Sequence, residues 1–337
     1  MKQEYIDYIV KQYFNEENYY VKQGSSGMNN TTKFLVIGDK KYILRIYESH
    51  RDNKKVNYEH LVLEELNKRS LSFNVPKPKR NLEGNTISMG IDGKLVSVAK
   101  MIKGTNPQLH TTKQFYNLGK AVGEITKVLG SIDVEVKSIY EPCYELEKSY
   151  LKCPLNKAIE FCINPPNEFK DEKDNLKELS KYFIEFKHII PRLRSLPHQI
   201  IHGDINASNV LEDENNNISA VLDFEFSAKD LQAMDLSICL SETISSKNDD
   251  KIKLENMRNF IKGYKEYVEL SIDEINVIPS LIMLRRLDVI LHFLVRYKEG
   301  ISNNFMSAEE ILKEQIIKAT TLCKWVKANE EKIRQLF

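Results

Sequence analysis

A chain of 337 residues, 42% hydrophobic and 29% charged, is long and apolar enough for a sizeable core divided between two domains or two lobes. Its 49 Lys and Arg against 48 Asp and Glu leave a net charge of +1, which provides no basic footprint for nucleic acid. No stretch approaches a membrane span, residues 1–5 lack a signal peptide's apolar core, and the five cysteines show neither Cys-x-x-Cys nor metal-ligand spacing. A cytoplasmic protein with reduced thiols and no nucleic-acid or membrane partner is therefore expected. The sequence has no internal repeat and carries no signal for oligomeric state.

Ile6, Ile9, Val10, Tyr13 and Phe14 recur at helical spacing and predict an amphipathic helix over 4–14. A polar, glycine-containing stretch, 24–30, follows. Residues 34–37 and 42–47, separated by Gly38-Asp39-Lys40, predict a β-hairpin. A charged helix is expected from about Lys54 to Arg69, a connection containing Pro76 and Pro78 next, and another strand from Lys94 to Met101. Beyond Gly104 the pattern turns helical. Phe115, Leu118, Val122 and Ile125 form one apolar stripe; Leu176, Leu179 and Phe183 form another. Short strands at 199–203 and 218–224 are embedded among helices, with Asn215-Asn216-Asn217 as a hairpin turn. Ser271 and Glu274 make a capping box before a long helix, 275–297, containing Leu281, Leu284, Leu287 and Leu291. Strands thus concentrate in the first hundred residues and helices afterwards, which predicts an α+β, bilobal arrangement: a sheet-rich lobe over 1–103 and a helical lobe over 104–337.

Within this frame one constellation carries chemistry. Ile201-His202-Gly203-Asp204-Ile205-Asn206-Ala207-Ser208-Asn209 is followed by Val221-Leu222-Asp223-Phe224-Glu225. Asp204 fits a general base that takes the proton of an acceptor hydroxyl; a loop Asp beside Asn and Ser also caps turns. Asn209 and Asp223 offer the neutral and anionic oxygens that Mg²⁺ prefers, with phosphates and water completing its shell. The hairpin from Val210 to Leu222 brings these two near one another. Glu225 lies two positions past Asp223, on the same face of an extended chain; it supports a second metal, contacts the substrate or is solvated. His202 acts as an acid or fixes the loop by hydrogen bonds, and Gly203 permits a backbone shape that a side chain forbids.

The segment His202 to Glu225 resembles the signature of the aminoglycoside phosphotransferase and choline kinase superfamily: His-Gly-Asp, four residues, Asn, then Asp-Phe or Asp-Trp. The resemblance implies a protein-kinase-like fold, with a nucleotide-binding lobe over 1–103 and a catalytic and substrate lobe over 104–337. It also implies ATP and Mg²⁺ as cofactors. Tyr42-Ile43-Leu44-Arg45-Ile46 looks like the family's third strand, where Arg45 would contact phosphate. Alternation places Ile43 on the same face, as an apolar roof for adenine. Glu59 matches the helix carboxylate that pairs with this cation, although Glu on a charged helix is commonly solvated. Met101, Ile102 and Lys103 occupy the hinge position, where main-chain groups would meet the adenine edge. The glycine loop departs from the protein-kinase pattern: Gly24 to Asn30 holds two glycines only, so Ser26, Gly27 and Asn29 either cradle phosphate or form a plain loop. Asp235 corresponds to the Asp that braces the catalytic loop.

The stretch from Phe224 to Leu240, with Phe260-Ile261-Lys262-Gly263-Tyr264, is most similar to the type II homoserine kinases within that superfamily. Arg285, His292 and Arg296 fall near one stripe of the 275–297 helix with Asp288 beside them. An Arg would clamp a substrate carboxylate and an acid would meet an ammonium; both arginines also suit ordinary pairing with nearby acids. The expected function is ATP- and Mg-dependent phosphorylation of a hydroxyl on a small molecule, an amino alcohol or homoserine-like. Two alternatives stand beside it: an aminoglycoside or related antibiotic as acceptor, and a nucleotide-binding module without turnover.

Overall fold

A computed structural model describes residues 3–16, 18–26, 30–48, 53–245, 248–302 and 306–337, without the side chains of Ser25 and Ser26. In chain order the first elements are α1 (Gln3–Tyr13), β1 (Tyr19–Ser26), β2 (Asn30–Ile37), β3 (Lys40–Tyr47), α2 (Asn53–Leu66), β4 (Ser88–Met89) and β5 (Leu95–Lys100). Next come α3 (Thr112–Leu129), α4 (Leu146–Ser149), α5 (Leu155–Ile163), α6 (Lys173–Leu193), β6 (His198–Ile201), β7 (Val210–Glu212), β8 (Ile218–Val221) and β9 (Ala228–Leu231). The last are α7 (Met234–Ile244), α8 (Asp250–Tyr264), α9 (Ile272–Lys298), α10 (Ala308–Ala328) and α11 (Glu330–Arg334). Strands early and helices late give the expected α+β class. The chain divides into two compact units: residues 1–107, 131–139 and 208–227 form the first, and 108–130, 140–207 and 228–337 the second.

The first unit is built on an antiparallel sheet of order β1-β2-β3-β5-β4. Alternation in β3 sends Leu44 and Ile46 to one face, where they pack with Val96 and Val98 of β5 under Ile6, Ile9, Val10 and Tyr13 of α1. Ile43, Arg45 and Tyr47 point to the other face, and Tyr47 packs there with Val56 of α2. Strand extends beyond the expectation, into 24–26 and 30–33. β1 runs to Ser26 and pairs with β2, with a register irregularity between Gln23 and Ser26. Gly24 makes this close pairing feasible, since a Cβ there would stand 2.6 Å from the Thr32 carbonyl oxygen.

The β7–β8 hairpin completes this unit. Asp213 Oδ1 accepts from Asn215 N and Asn217 N at the turn, at 2.8 and 2.9 Å. Asn74 N donates to Ser219 O and Val221 N to Asn74 O, each at 2.9 Å, while Thr105 and Glu212 exchange two backbone bonds. The hairpin is thereby stitched to the connection between α2 and β4 and to the segment just past β5.

The second unit is helical apart from the β6–β9 ladder. Helices α3 and α8 approach so closely that a Cβ on Gly119 would stand 1.9 Å from Phe260 O, and one on Gly263 2.1 Å from Tyr116 O. Only the missing side chains allow this contact. The capping box expected at α9 is present, with the Ser271 side chain accepting from Glu274 N and the Glu274 side chain from the Ser271 backbone.

Candidate active site

In the first unit the sheet sets Arg45 opposite Thr32 on β2 and Ser97 on β5. Its Nη1 donates to Glu59 Oε1 of α2 at 3.0 Å, and its Nη2 bonds Asp223 Oδ1. Burial works against the Arg45 charge, but Glu59 and then Asp223 outweigh it and hold the guanidinium above its ordinary range. Burial also pushes the Glu59 carboxyl up, to about 7, against the pull of Arg45. Tyr47 lies beside them, its hydroxyl 3.4 Å from Glu59 Oε2.

Asn209 and Asp223 lie at the two ends of the β7–β8 hairpin. Leu222 N donates to Asn209 O at 2.8 Å, closing the hairpin just before Asp223. Asp223 itself has φ +64°, the left-handed region that a non-glycine residue adopts at a cost of about 1–3 kcal/mol. This conformation turns the chain sharply after the strand. Both side chains are hard oxygen donors. Among the described residues no group of three or more His, Cys, Asp or Glu forms a metal cage. Two protein oxygens fit Mg²⁺, which retains water and phosphate ligands, better than an ion needing an all-protein shell.

Glu225 belongs to the same cluster. It is 8% exposed, accepts from Asn30 Nδ2 at 2.6 Å, and its charge acts on Arg45. Asn30 Oδ1 is buried with no hydrogen-bond partner among the described residues. Met101 N donates to Lys41 O at 2.9 Å, extending the β3–β5 ladder into the predicted hinge. Ile102 is half-buried and Lys103 exposed. Gly27 and Asn29 lie outside the described residues, as does the Ser26 side chain. Elsewhere in this unit a cavity of about 590 Å³ opens beside His60, Glu64 and Arg80; among the described residues its wall holds none of the predicted site residues.

In the second unit β6 leads into the loop carrying His202, Gly203 and Asp204. Asp235, fully buried at the start of α7, accepts from His202 N at 2.8 Å and from Gly203 N at 2.9 Å. Gly203 has φ +83°, the requirement anticipated for glycine there. His202 is fully buried, and its Nδ1 accepts from Asp204 N at 3.2 Å. The ring thus fixes the loop from inside.

The Asp204 carboxylate meets α9. Arg285 Nη2 donates to Asp204 Oδ1 at 2.5 Å, and Arg285 Nη1 stands 4.0 Å from Asp288 Oδ2. Tyr150, just past α4, donates its hydroxyl to Asp288 Oδ1 at 2.7 Å. Burial pushes Asp288 up, opposed by Arg285 and this hydrogen bond. Burial and Arg296 keep His292 below its ordinary range and hence neutral at pH 7. Arg285 Nε, His292 Nε2 and Arg296 Nε are each buried without a hydrogen-bond partner among the described residues.

The predicted residues therefore gather in two groups. Arg45, Glu59, Asn209, Asp223 and Glu225 assemble in the first unit; His202, Asp204, Arg285 and Asp288 assemble in the second, with Arg296 farther along the same helix. Asn30 and Tyr150 were not singled out from sequence. They lie 195 and 138 residues from their partners, and no local pattern marks such pairs.

Comparison with known proteins identifies the family. The family model described as phosphotransferase enzyme family matches residues 21–269. Among curated relatives, a homoserine kinase of Zymomonas mobilis is 24% identical over 260 residues, covering 75% of this chain and 74% of its own. A homoserine kinase of Rhizobium etli is likewise 24% identical, over 81% and 78% of the two chains. Among solved structures, the amicoumacin kinase hAmiN, in complex with AMP-PNP, Ca²⁺ and Ami, superposes with a TM-score of 0.70 at 17% identity, over 95% and 93% of the chains. A microcompartment-associated aminopropanol kinase superposes at 0.64 and 16% identity, over 97% of both. These last likenesses speak for the fold. No helix among the described residues is long and apolar enough to cross a membrane. The chain belongs to the phosphotransferase enzyme family and is a small-molecule kinase.

Proposed function

We propose that this kinase moves the terminal phosphoryl group of ATP, with Mg²⁺, to a hydroxyl of a small amino alcohol or homoserine-like acceptor. The first unit takes the nucleotide. Arg45, braced by Glu59, meets the phosphates, Ile43 meets adenine from the same strand face, and the Met101–Lys103 backbone meets the adenine edge. Ser26, Gly27 and Asn29 are proposed beside the phosphates. Asn209 and Asp223 hold Mg²⁺, which when bound neutralises charge on the phosphate oxygens. Glu225, given its bond to Asn30 and its action on Arg45, fits the nucleotide end better than the acceptor end.

In the second unit Asp204 is the base. The acceptor oxygen forms a bond to the terminal phosphorus as the bond from that phosphorus to the bridging oxygen breaks. The released electron pair leaves with ADP, and the hydroxyl proton passes to Asp204. His202 and Asp235 position the loop. Asp288 receives the acceptor's ammonium, and Arg285 and Arg296 its anionic group.

The observation that carries the acceptor class is Arg285, which bonds Asp204 and lies beside Asp288 on the same helix face. Opposite charges set beside the proposed base suit an acceptor that bears both signs. A polycationic antibiotic would want a more acidic surface. The relatives named homoserine kinase point the same way, since homoserine carries both an ammonium and a carboxylate. The test is Mg-ATP turnover by the intact protein on homoserine, 3-aminopropan-1-ol, ethanolamine and an aminoglycoside, read by mass spectrometry. A phosphorylated amino alcohol or homoserine is expected. Product from the aminoglycoside alone would move the acceptor to that class, and product from none would remove the reading.

A further inference from the structure

The bond between Arg285 and the proposed base poses a chemical problem. A base must present a carboxylate oxygen to the incoming hydroxyl. Asp204 Oδ1 is instead held at 2.5 Å by a guanidinium that is itself largely shielded, its side chain 23% exposed. A cation so placed occupies a lone pair and makes the oxygen a poorer proton acceptor.

The same guanidinium is incompletely matched. It offers five donors in a planar fork. Asp204 engages it through one nitrogen, Asp288 lies 4.0 Å from another, and Nε is buried with no partner among the described residues. Asp288 is already committed through its other oxygen to Tyr150. The contact with Asp204 is short but uses a single guanidinium nitrogen, and a planar anion gripping two donors at once would compete well with it.

Positions 285, 288, 292 and 296 fall on one stripe of α9, so the helix carries further donors away from Asp204. His292 lies about 10 Å along the axis from Arg285, and Arg296 about 6 Å beyond that. His292 Nε2 and Arg296 Nε are also buried without partners. Taken with Asp204, the stripe holds two guanidinium groups and two carboxylates, beside a neutral histidine. Freeing Asp204 leaves an unbalanced cation, and an incoming carboxylate restores the balance.

We infer that Arg285 is a latch on Asp204, opened by the acceptor's own carboxylate. The inference rests on the reading of Asp204 as base and goes further, because it makes recognition of the anionic group a condition for activity. An amino alcohol without a carboxylate binds Asp288 but leaves the base closed. Arg285 is thus a specificity-determining and positioning residue.

The experiment uses the full chain with Mg-ATP. Homoserine is compared with 3-aminopropan-1-ol, which lacks only the carboxylate, and kcat/KM is expected to be roughly 10- to 100-fold lower for the latter. Sodium acetate, a carboxylate supplied separately, should then raise kcat on 3-aminopropan-1-ol and also raise slow ATP hydrolysis by water. Arg285→Gln should lower kcat/KM on homoserine, raise kcat on 3-aminopropan-1-ol and abolish the response to acetate. Arg285→Lys keeps the charge without the fork, and should retain the closed base while losing most of the acetate response. The acetate measurement on the unaltered protein stands even if a variant fails to fold. Equal rates on the two alcohols, no effect of acetate, or equal loss on both alcohols in Arg285→Gln would overturn the latch while leaving Asp204 as base. Absence of both transfer and hydrolysis would overturn the reading of the base, and the latch with it.

Discussion

Each unit sets an arginine between two acids, and the two arrangements are built differently. Arg45 sits within a strand paired on both sides, so three strands fix its backbone. Its partner Glu59 is 6% exposed and 3.0 Å away. Arg285 projects from a helix toward a loop residue, Asp204, that is 22% exposed, and its second acid lies at 4.0 Å. A cation meant to stay in place is backed by a ladder and a deeply buried partner. A cation able to change partners has one close contact, one distant contact and an unmatched donor.

The most severe test of this contrast separates chemistry from nucleotide binding. Asp204→Asn should cut kcat by about 10²–10⁴-fold with the KM for ATP little changed, because it removes a positioned base and leaves the first unit intact. Asp223→Ala should instead raise the KM for ATP. Steady-state kinetics on both variants decides; equal movement of that KM in the two would erase the division of labour.

Stability should show the next largest difference. Arg45→Ala strands the Glu59 carboxyl in a buried site and is expected to cost roughly 3–5 kcal/mol. Arg285→Ala leaves two acids that are each about a quarter exposed, so about 1 kcal/mol is expected. Denaturant midpoints measure both. Similar losses would mean that the two arginines are equally braced.

The pH response should separate the units more subtly. Asp230 in β9 is pushed up to about 6 by burial, against the N–H groups of Cys143 and Leu231. Between about pH 4 and 6 the native carboxyl keeps a proton that the unfolded chain has released. Its contribution to stability therefore falls as pH rises through that window and is level above it. The stability difference between the unaltered protein and Asp230→Asn should shrink across the window by on the order of 3 kcal/mol. Glu59 has the same sign but is pushed to about 7, so the matching slope for Glu59→Gln should lie at higher pH. Unfolding measured at half-unit steps would reveal both windows.

Much of this was legible in sequence where the signal is local. Alternation along 42–47 needs no partner to predict which face Arg45 occupies, and the β3 register bears it out. The polar turn at 215–217 predicted the hairpin that ends at Asn209 and Asp223, and Ser271 with Glu274 predicted the start of α9. The strand through Gly24 to Ser26 was hidden, because its polar residues owe their extended form to pairing with β2. The contacts that distinguish the arginines were hidden for another reason. Arg285 and Asp204 are 81 residues apart, and Arg45 and Asp223 are 178 apart. Helical spacing placed Arg285 and Arg296 on one stripe, but only the packed structure shows that Arg285 holds the proposed base and that the Nε of each is buried without a partner among the described residues.

The stitching of the β7–β8 hairpin into the first unit has a consequence for synthesis. Asn74 and Thr105 must wait for Ser219, Val221 and Glu212, which leave the ribosome more than a hundred residues later. At about 5–20 residues per second these contacts remain unmade for roughly 5–30 s. Until then the backbone groups of Asn74 and Thr105 have only water or a chaperone to bond, and translational pauses within that interval should govern how much of the newly made chain is lost to aggregation.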